Sequence, residues 1–390
     1  MNFTSILLFF SIWRAVDFII IILAKNFIPY LGFFPYKELL DSLNRQNIPQ
    51  WLTSLANFDG IYYLLLSKHN YRQYEQAFFP LYPLLIRFLT PVFFNNQFLT
   101  AFFISNLSFL FGLYFFSQYL KEINQKNSFF ALLLILFYPT SFYFGAIYTE
   151  GLFFLLLSLT LYNLKKNRLI FAALTSFFAS LTRIIGIFLF IPIFFRLWQD
   201  FKKKRILQPQ TFIVLFSPFL GISLYCLYLW QTTGDPFFFF TSQPAFGANR
   251  STTLISLPQV YYRYIKIFFT ASFNFQYFIA LIEFFIFTFV LAVLIIDFFQ
   301  LLSIKKTGQV KLRILNIDLF SLNLFSLVNL LLPSLTGTFS SIPRYSLFSL
   351  SFFVFLAKIK SYFFKFLILF FFLIFHILML AFFSQGYFVS

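Results

Sequence analysis

The sequence predicts an all-α polytopic membrane protein, a single domain over residues 1–390. About nine to eleven transmembrane helices are expected, with a long first external loop bearing interfacial helices. Three observations carry this. Apolar residues make up 60% of the chain against 11% charged, and the mean hydropathy of +0.82 is far above that of a soluble domain of this length. Apolar stretches near the roughly 20 residues that a spanning helix needs recur from end to end. Most of the 29 Lys and Arg residues fall in short clusters between those stretches. The clusters are Lys121 and Lys126; Lys165, Lys166 and Arg168; Arg196 and Lys202 to Arg205; Lys305, Lys306, Lys311 and Arg313; and Lys358, Lys360 and Lys365. That is the charge bias of cytoplasmic loops.

With those clusters inside, the elements can be placed in order. Residues 3–24 cross outward, and 25–78 form the first external loop. One full helix at 98–119 fits the charges if 79–93 is re-entrant or interfacial, as Pro80, Pro83 and Arg87 suggest. Residues 129–146 cross outward and 150–164 return to Lys165. Residues 169–195 begin and end at basic clusters, so they cross an even number of times, as two half-helices with Arg183 near the turn. Residues 211–231 go out, and 232–274 form a second external loop. Residues 277–302 return, 314–333 go out, 345–357 come back and 362–384 exit again.

Composition also excludes. The net charge of +17 lies in loop clusters and not in a basic soluble module, so nucleic acid is not an expected partner. The lone cysteine, Cys226, can form no intrachain disulfide. His69 and His376 are too far apart to suggest a site, and His376 reads as a packing residue. No carboxylates stand at metal-ligand spacing, so no cofactor is expected and a divalent cation is not indicated. The 71 phenylalanines read as lipid-facing bulk. Residues 3–24 lack a small-residue cleavage site and read as a spanning helix, not a cleaved signal.

The same sorting sends Asp59, Glu75, Glu150, Arg183, Asp235, Arg250, Arg263, Lys266 and Arg344 to one external face, beside segments rich in Gly, Pro, Ser and Thr. Five segments there, taken in order, resemble the GPI mannosyltransferase 2 type family and its prokaryotic relatives in the GT-C superfamily of membrane glycosyltransferases. They are Asn57-Phe58-Asp59-Gly60 with Tyr62-Tyr63 and His69-Asn70-Tyr71; Ala77-Phe78-Phe79-Pro80-Leu81-Tyr82-Pro83 through Arg87; Tyr138-Pro139-Thr140-Ser141 leading to Tyr148-Thr149-Glu150-Gly151; Leu181-Thr182-Arg183 with Gly186 and Gly234-Asp235-Pro236-Phe237; and Ser340-Ser341-Ile342-Pro343-Arg344-Tyr345. The resemblance implies a GT-C-like bundle. It also implies transfer of a hexose, mannose being the family's commonest label, from a polyprenyl-phosphate donor to a hydroxyl on a glycan, glycolipid or protein. The reaction would take place on the extracytoplasmic face of the plasma membrane. The family's catalytic aspartate corresponds to Asp59. The family usually has Arg-Trp-Asp there, and this chain has Asn57-Phe58-Asp59.

The chemistry asked of these residues is small. A sugar hydroxyl is a poor nucleophile, and a positioned carboxylate accepts its proton as the bond forms. Asp59 is the candidate base, with a helix N-cap as its alternative role. The phosphate leaving group needs positive charge. Arg183 and Arg344 are the candidates, against a structural pair of Arg183 with Glu150 or Glu283 and interfacial snorkelling of Arg344. Glu150 either orients a substrate hydroxyl or caps the helix over 151–164. Tyr62 and Tyr345 are the aromatic candidates for substrate contact. Asp235 is turn chemistry first and substrate contact second. Glu75 reads as a solvated loop residue. Arg14 and Asp17 pair within the first helix. One base and direct attack would invert the anomeric centre. The competing class is a transporter or flippase for a lipid-linked saccharide, which would favour paired repeats and ionisable groups near the midplane.

Overall fold

The computed structural model describes residues 2–32, 48–204, 209–246, 251–307 and 309–389. Arg205, Arg250 and parts of both external loops, residues 33–47 and 247–250, lie outside the described residues. Among the described residues the regular structure is helical apart from an antiparallel hairpin of Leu302–Thr307 and Gln309–Ile314, in which Leu302 is paired with Ile314. The hairpin falls on a basic cluster read as a loop between helices.

Seven helices among the described residues are long and apolar enough to cross a bilayer. They are Phe3–Ala24, Gln97–Glu122, Ile184–Lys202, Thr211–Thr233, Phe275–Leu301, Ile317–Ser334 and Tyr362–Ser384. The chain is therefore a polytopic α-helical membrane protein. The segment 169–204 bends at Arg183, whose extended backbone (φ −153°, ψ 145°) separates Leu169–Thr182 from a 3-10 turn, Ile184–Leu189, and the helix Phe190–Lys204. The expected turn is there, but the second limb is a full span and not a half-helix.

Two expected spans are broken. Only Ser128–Leu136 of 129–146 and Leu350–Ala357 of 345–357 are α-helical in the long regular sense. Pro139 ends the first, because the residue before a proline is pushed out of the α region and proline itself has no N–H to donate. The next stretch, 137–149, is irregular and almost wholly buried. Residues 335–349 are likewise mostly irregular, with two short helical turns at Ile342–Tyr345 and Ser346–Phe348. Such backbone is tolerated at membrane depth only where protein satisfies it, and here it does. The Gly145 carbonyl accepts from Arg14 (2.8 Å) and from Asn106 (3.0 Å). The Tyr138 hydroxyl meets Ser346 at 2.7 Å, and Thr140 donates to the Pro343 carbonyl at 2.7 Å. The two broken segments thus bind each other.

Residues 53–67 of the loop expected over 25–78 pack into the bundle and do not lie on its surface. Leu55, Ala56, Asn57 and Ile61 are fully buried, and the loop carries the helix Asp59–Lys68 into the bundle. Arg87, in the short helix Leu81–Leu89, donates to the carbonyls of Leu66 and Ser67 (both 2.9 Å) and of His69 (2.6 Å). It thereby satisfies the carbonyl end of Asp59–Lys68, where a cation is also favoured by the helix dipole.

The basic clusters mark one end of the molecule. Lys165 pairs with Asp318 and Lys166 with Glu122, so the C-terminal ends of Glu150–Lys165 and Gln97–Glu122 meet the start of Ile317–Ser334. Glu150 stands at the opposite end of its helix, roughly 22 Å away at 1.5 Å per residue.

Candidate active site

At that opposite end four charged side chains form one chain of contacts. Arg344 Nη1 donates to Asp59 Oδ2 at 2.7 Å. Arg344 Nε lies 3.0 Å from Glu150 Oε1, close enough to pair but not in line for a hydrogen bond. Arg183 Nη1 donates to the same Glu150 oxygen at 2.5 Å and to the Thr149 hydroxyl at 2.9 Å. Four of the seven expected site residues therefore form one chain of contacts, and a fifth, Tyr345, lies against both arginines; they come from positions spread over nearly three hundred residues of sequence.

Each arrives by a local cause. Asp59 opens its helix directly after Phe58, whose backbone lies at φ 59°, ψ −115°. A bulky residue at positive φ is strained by about 1–3 kcal/mol and persists only where its surroundings impose it. The surroundings here are explicit. Asn57 donates to the Phe383 carbonyl (3.1 Å), the Tyr148 hydroxyl donates to the Asn57 carbonyl (2.7 Å), and the Phe58 ring packs on Phe383 and Phe388. Asn57 thereby ties the loop to the last spanning helix. The Asp59 carboxylate does not cap its helix; it lies in the first turn, where the helix dipole favours an anion, and is bonded to Arg344.

Glu150 opens Glu150–Lys165 and is fully buried. The next residue must be glycine, since a Cβ on Gly151 would stand 2.4 Å from the Ser105 carbonyl oxygen and 2.6 Å from that of Phe144. That close approach locks the Glu150 backbone to Gln97–Glu122. Of the two roles expected for Glu150, capping is not observed; its Oε1 serves both arginines, and its Oε2 is buried without a protein partner among the described residues.

The arginines are boxed by rings. Arg344 lies over Tyr148, Tyr143 and Tyr345 at 5.2, 5.3 and 5.7 Å, and Arg183 over Phe348 and Tyr345 at 5.3 and 5.5 Å. Cation–π contact of this kind strengthens when water is excluded. Burial works against the Arg344 charge, and the carboxylates of Asp59 and Glu150 beside it offset that cost. Arg344 is 8% exposed at its side chain, so the surface-reaching role weighed for it is not what the fold provides. For Arg183 the fold supplies the pair with Glu150 and not with Glu283, which accepts instead from Tyr264 at 2.6 Å.

The remaining expectations divide. Tyr345 faces both arginines. Tyr62 lies one turn after Asp59 on the same side of the helix and stacks on Phe78 at 4.8 Å. Asp235 is apart from the cluster: its carboxylate accepts from the Phe237 N–H (2.8 Å) and the Thr241 hydroxyl (2.9 Å), which is turn chemistry. Glu75 is buried, not solvated, because Glu75–Ala77 is folded under the second loop, and it accepts from the Arg72 N–H at 2.8 Å. Arg14 and Asp17 do pair, at 3.2 Å, and His376 joins them through Nε2 at 2.8 Å from Asp17. His376 is thus more than packing: its other ring nitrogen lies 3.2 Å from the Tyr138 carbonyl and 3.1 Å from Ser141. It anchors the irregular segment that ends at Glu150. No three His, Cys, Asp or Glu residues are grouped to hold a metal ion among the described residues.

Sequence reasoning missed Thr149, Tyr143 and Tyr148 as partners of the site. Their adjacency to Glu150 in an aromatic run was the available signal. No family model, no curated protein and no solved structure matches the chain.

Proposed function

We propose that the protein is a GT-C-like membrane glycosyltransferase. In this reading it moves a hexose, mannose by family resemblance, from a polyprenyl-phosphate donor to an acceptor hydroxyl on a glycan, glycolipid or protein, outside the cytoplasm at the plasma membrane. Nine to eleven crossings result if two to four of the short apolar helices Leu81–Leu89, Ser128–Leu136, Glu150–Lys165, Leu169–Thr182 and Leu350–Ala357 cross beside the seven long spans.

One observation carries the reading: a partly accessible carboxylate, Asp59, shares a buried arginine with a second arginine–glutamate pair at the end opposite the basic clusters. Buried arginines in a membrane protein are costly and mark ligand sites by default. Two guanidiniums suit a phosphate, and a carboxylate beside them suits a hydroxyl that must lose its proton. In the reaction the acceptor oxygen bonds to the anomeric carbon as the bond from that carbon to the phosphate oxygen breaks. The hydroxyl proton passes to Asp59, and the electron pair of the broken bond stays on the phosphate beside Arg344 and Arg183. A single displacement inverts the anomeric centre.

The test is sugar transfer by the purified protein in detergent from a panel of polyprenyl-phosphate sugars, comparing the unmodified chain with Asp59→Asn. Donor-dependent transfer that collapses in the variant supports the reading. Transfer that survives the change removes Asp59 from the mechanism, and a retained anomeric configuration removes direct displacement.

A further inference from the structure

We infer that the Asp59 carboxylate is the resting occupant of the anion site on Arg344, held in the place that a donor phosphate oxygen takes, so that binding of the donor is what frees the base. The inference rests on the proposed transferase reading.

Four features point to it. Asp59 is the most accessible member of the cluster, its side chain 25% exposed against 0–10% for Glu150, Arg344 and Arg183. Whatever enters from outside meets Asp59 first. Glu150 cannot be the anion that gives way, because Gly151 locks its backbone and one oxygen serves both arginines. The charges also sort themselves. Arg183, Arg344 and Glu150 together carry one net positive charge, the complement of a singly charged phosphodiester. With Asp59 included the cluster is neutral and has no net attraction for an anion. Finally, Oδ2 of Asp59 is already accepting from Arg344 at 2.7 Å. A carboxylate so engaged is a weaker base toward a hydroxyl proton than one released from the guanidinium.

The resulting cycle is balanced. The donor phosphate, one negative charge, exchanges with Asp59 on Arg344. Transfer moves the acceptor proton to Asp59 and leaves the phosphate with two negative charges. Loss of that proton to water restores the carboxylate, which competes again for Arg344 and favours departure of the polyprenyl phosphate.

The experiment is direct binding of a short-chain polyprenyl phosphate to the full chain in detergent, with the corresponding prenyl alcohol as control. Four proteins are compared: unmodified, Asp59→Asn, Arg344→Gln and the double variant, with folding followed by thermal unfolding. If Asp59→Asn does not fold, Asp59→Ser makes the same comparison. A site held closed about nine-tenths of the time loses about tenfold in apparent affinity. Asp59→Asn should therefore bind the phosphate about tenfold tighter while losing transfer, and this gain should vanish in the Arg344→Gln background. Equal or weaker binding by Asp59→Asn overturns the inference and leaves the transferase reading standing. An undiminished gain in the Arg344→Gln background overturns it too, because long-range repulsion would then explain the effect. Failure of the unmodified chain to bind the phosphate at all overturns both.

Discussion

The Lys165 and Lys166 pairs at the basic end and the Glu150 cluster at the other treat charge in opposite ways, although Lys358 at the basic end also meets a buried carboxylate, that of Asp297, at 3.4 Å. At the basic end Lys165 meets Asp318 at 2.6 Å and Lys166 meets Glu122 at 2.7 Å, each side chain keeping 22–35% of its surface exposed. At the other end Glu150, Arg344 and Arg183 are 0%, 8% and 10% exposed, and they share atoms instead of forming separate pairs. Exposed pairs contribute at most about 1 kcal/mol each. Buried ones cost desolvation on both sides and become indispensable once present, since removing one partner strands the other. Orienting a helical protein in a bilayer requires only the first kind. A chain with 12 acidic residues that places the fully buried Glu150 between two buried arginines, beside strained backbone at Phe58, has built something other than an anchor.

The comparison can be broken most severely at Asp59. Removing a positioned general base costs about 10²–10⁴ in rate, so under the proposed transferase reading Asp59→Asn should lose transfer by that factor while its unfolding midpoint stays near that of the unmodified chain. Glu150→Ala strands two buried guanidiniums and should destabilise the protein by about 3–5 kcal/mol, read by thermal unfolding in detergent. Survival of the variant at unmodified stability would show that the arginines find other partners. Gly151→Ala forces a methyl group into the Ser105 and Phe144 carbonyls and should cost about 1–3 kcal/mol in the same assay. Its transfer rate should fall as well, because Glu150 moves with its neighbour. The smallest effect belongs to the basic end. Lys165→Ala should change stability by no more than about 1 kcal/mol, and that change should shrink as salt is added. A loss as large as that of Glu150→Ala would erase the distinction between the ends.

Legibility in the sequence divides along physical lines. Long spans such as Phe3–Ala24, Phe275–Leu301 and Tyr362–Ser384 were legible because lipid exposure demands only length and apolarity. The turn at Arg183 was legible because an arginine between two apolar limbs has few places to go. The broken segments at 137–149 and 335–349 read as ordinary spans, because an apolar run looks the same whether it is helical or folded irregularly inside protein. The roles of Asn57, Tyr143 and His376 were hidden for a related reason: each depends on a partner more than ninety residues away.

By itself the sequence determined that this is a helical membrane protein, and its charge pattern separated Asp59, Glu150, Arg183 and Arg344 from the basic loop clusters. Hydrophobic length and charge bias act locally, so a linear reading captures them. Only the tertiary structure decided that Asp59, Arg344, Glu150 and Arg183 touch, in that order, while Asp235 caps its own turn. Those contacts depend on where two irregular segments bind each other and on the close approach at Gly151. They are long-range packing events, in which the same residue types could have paired in several other ways.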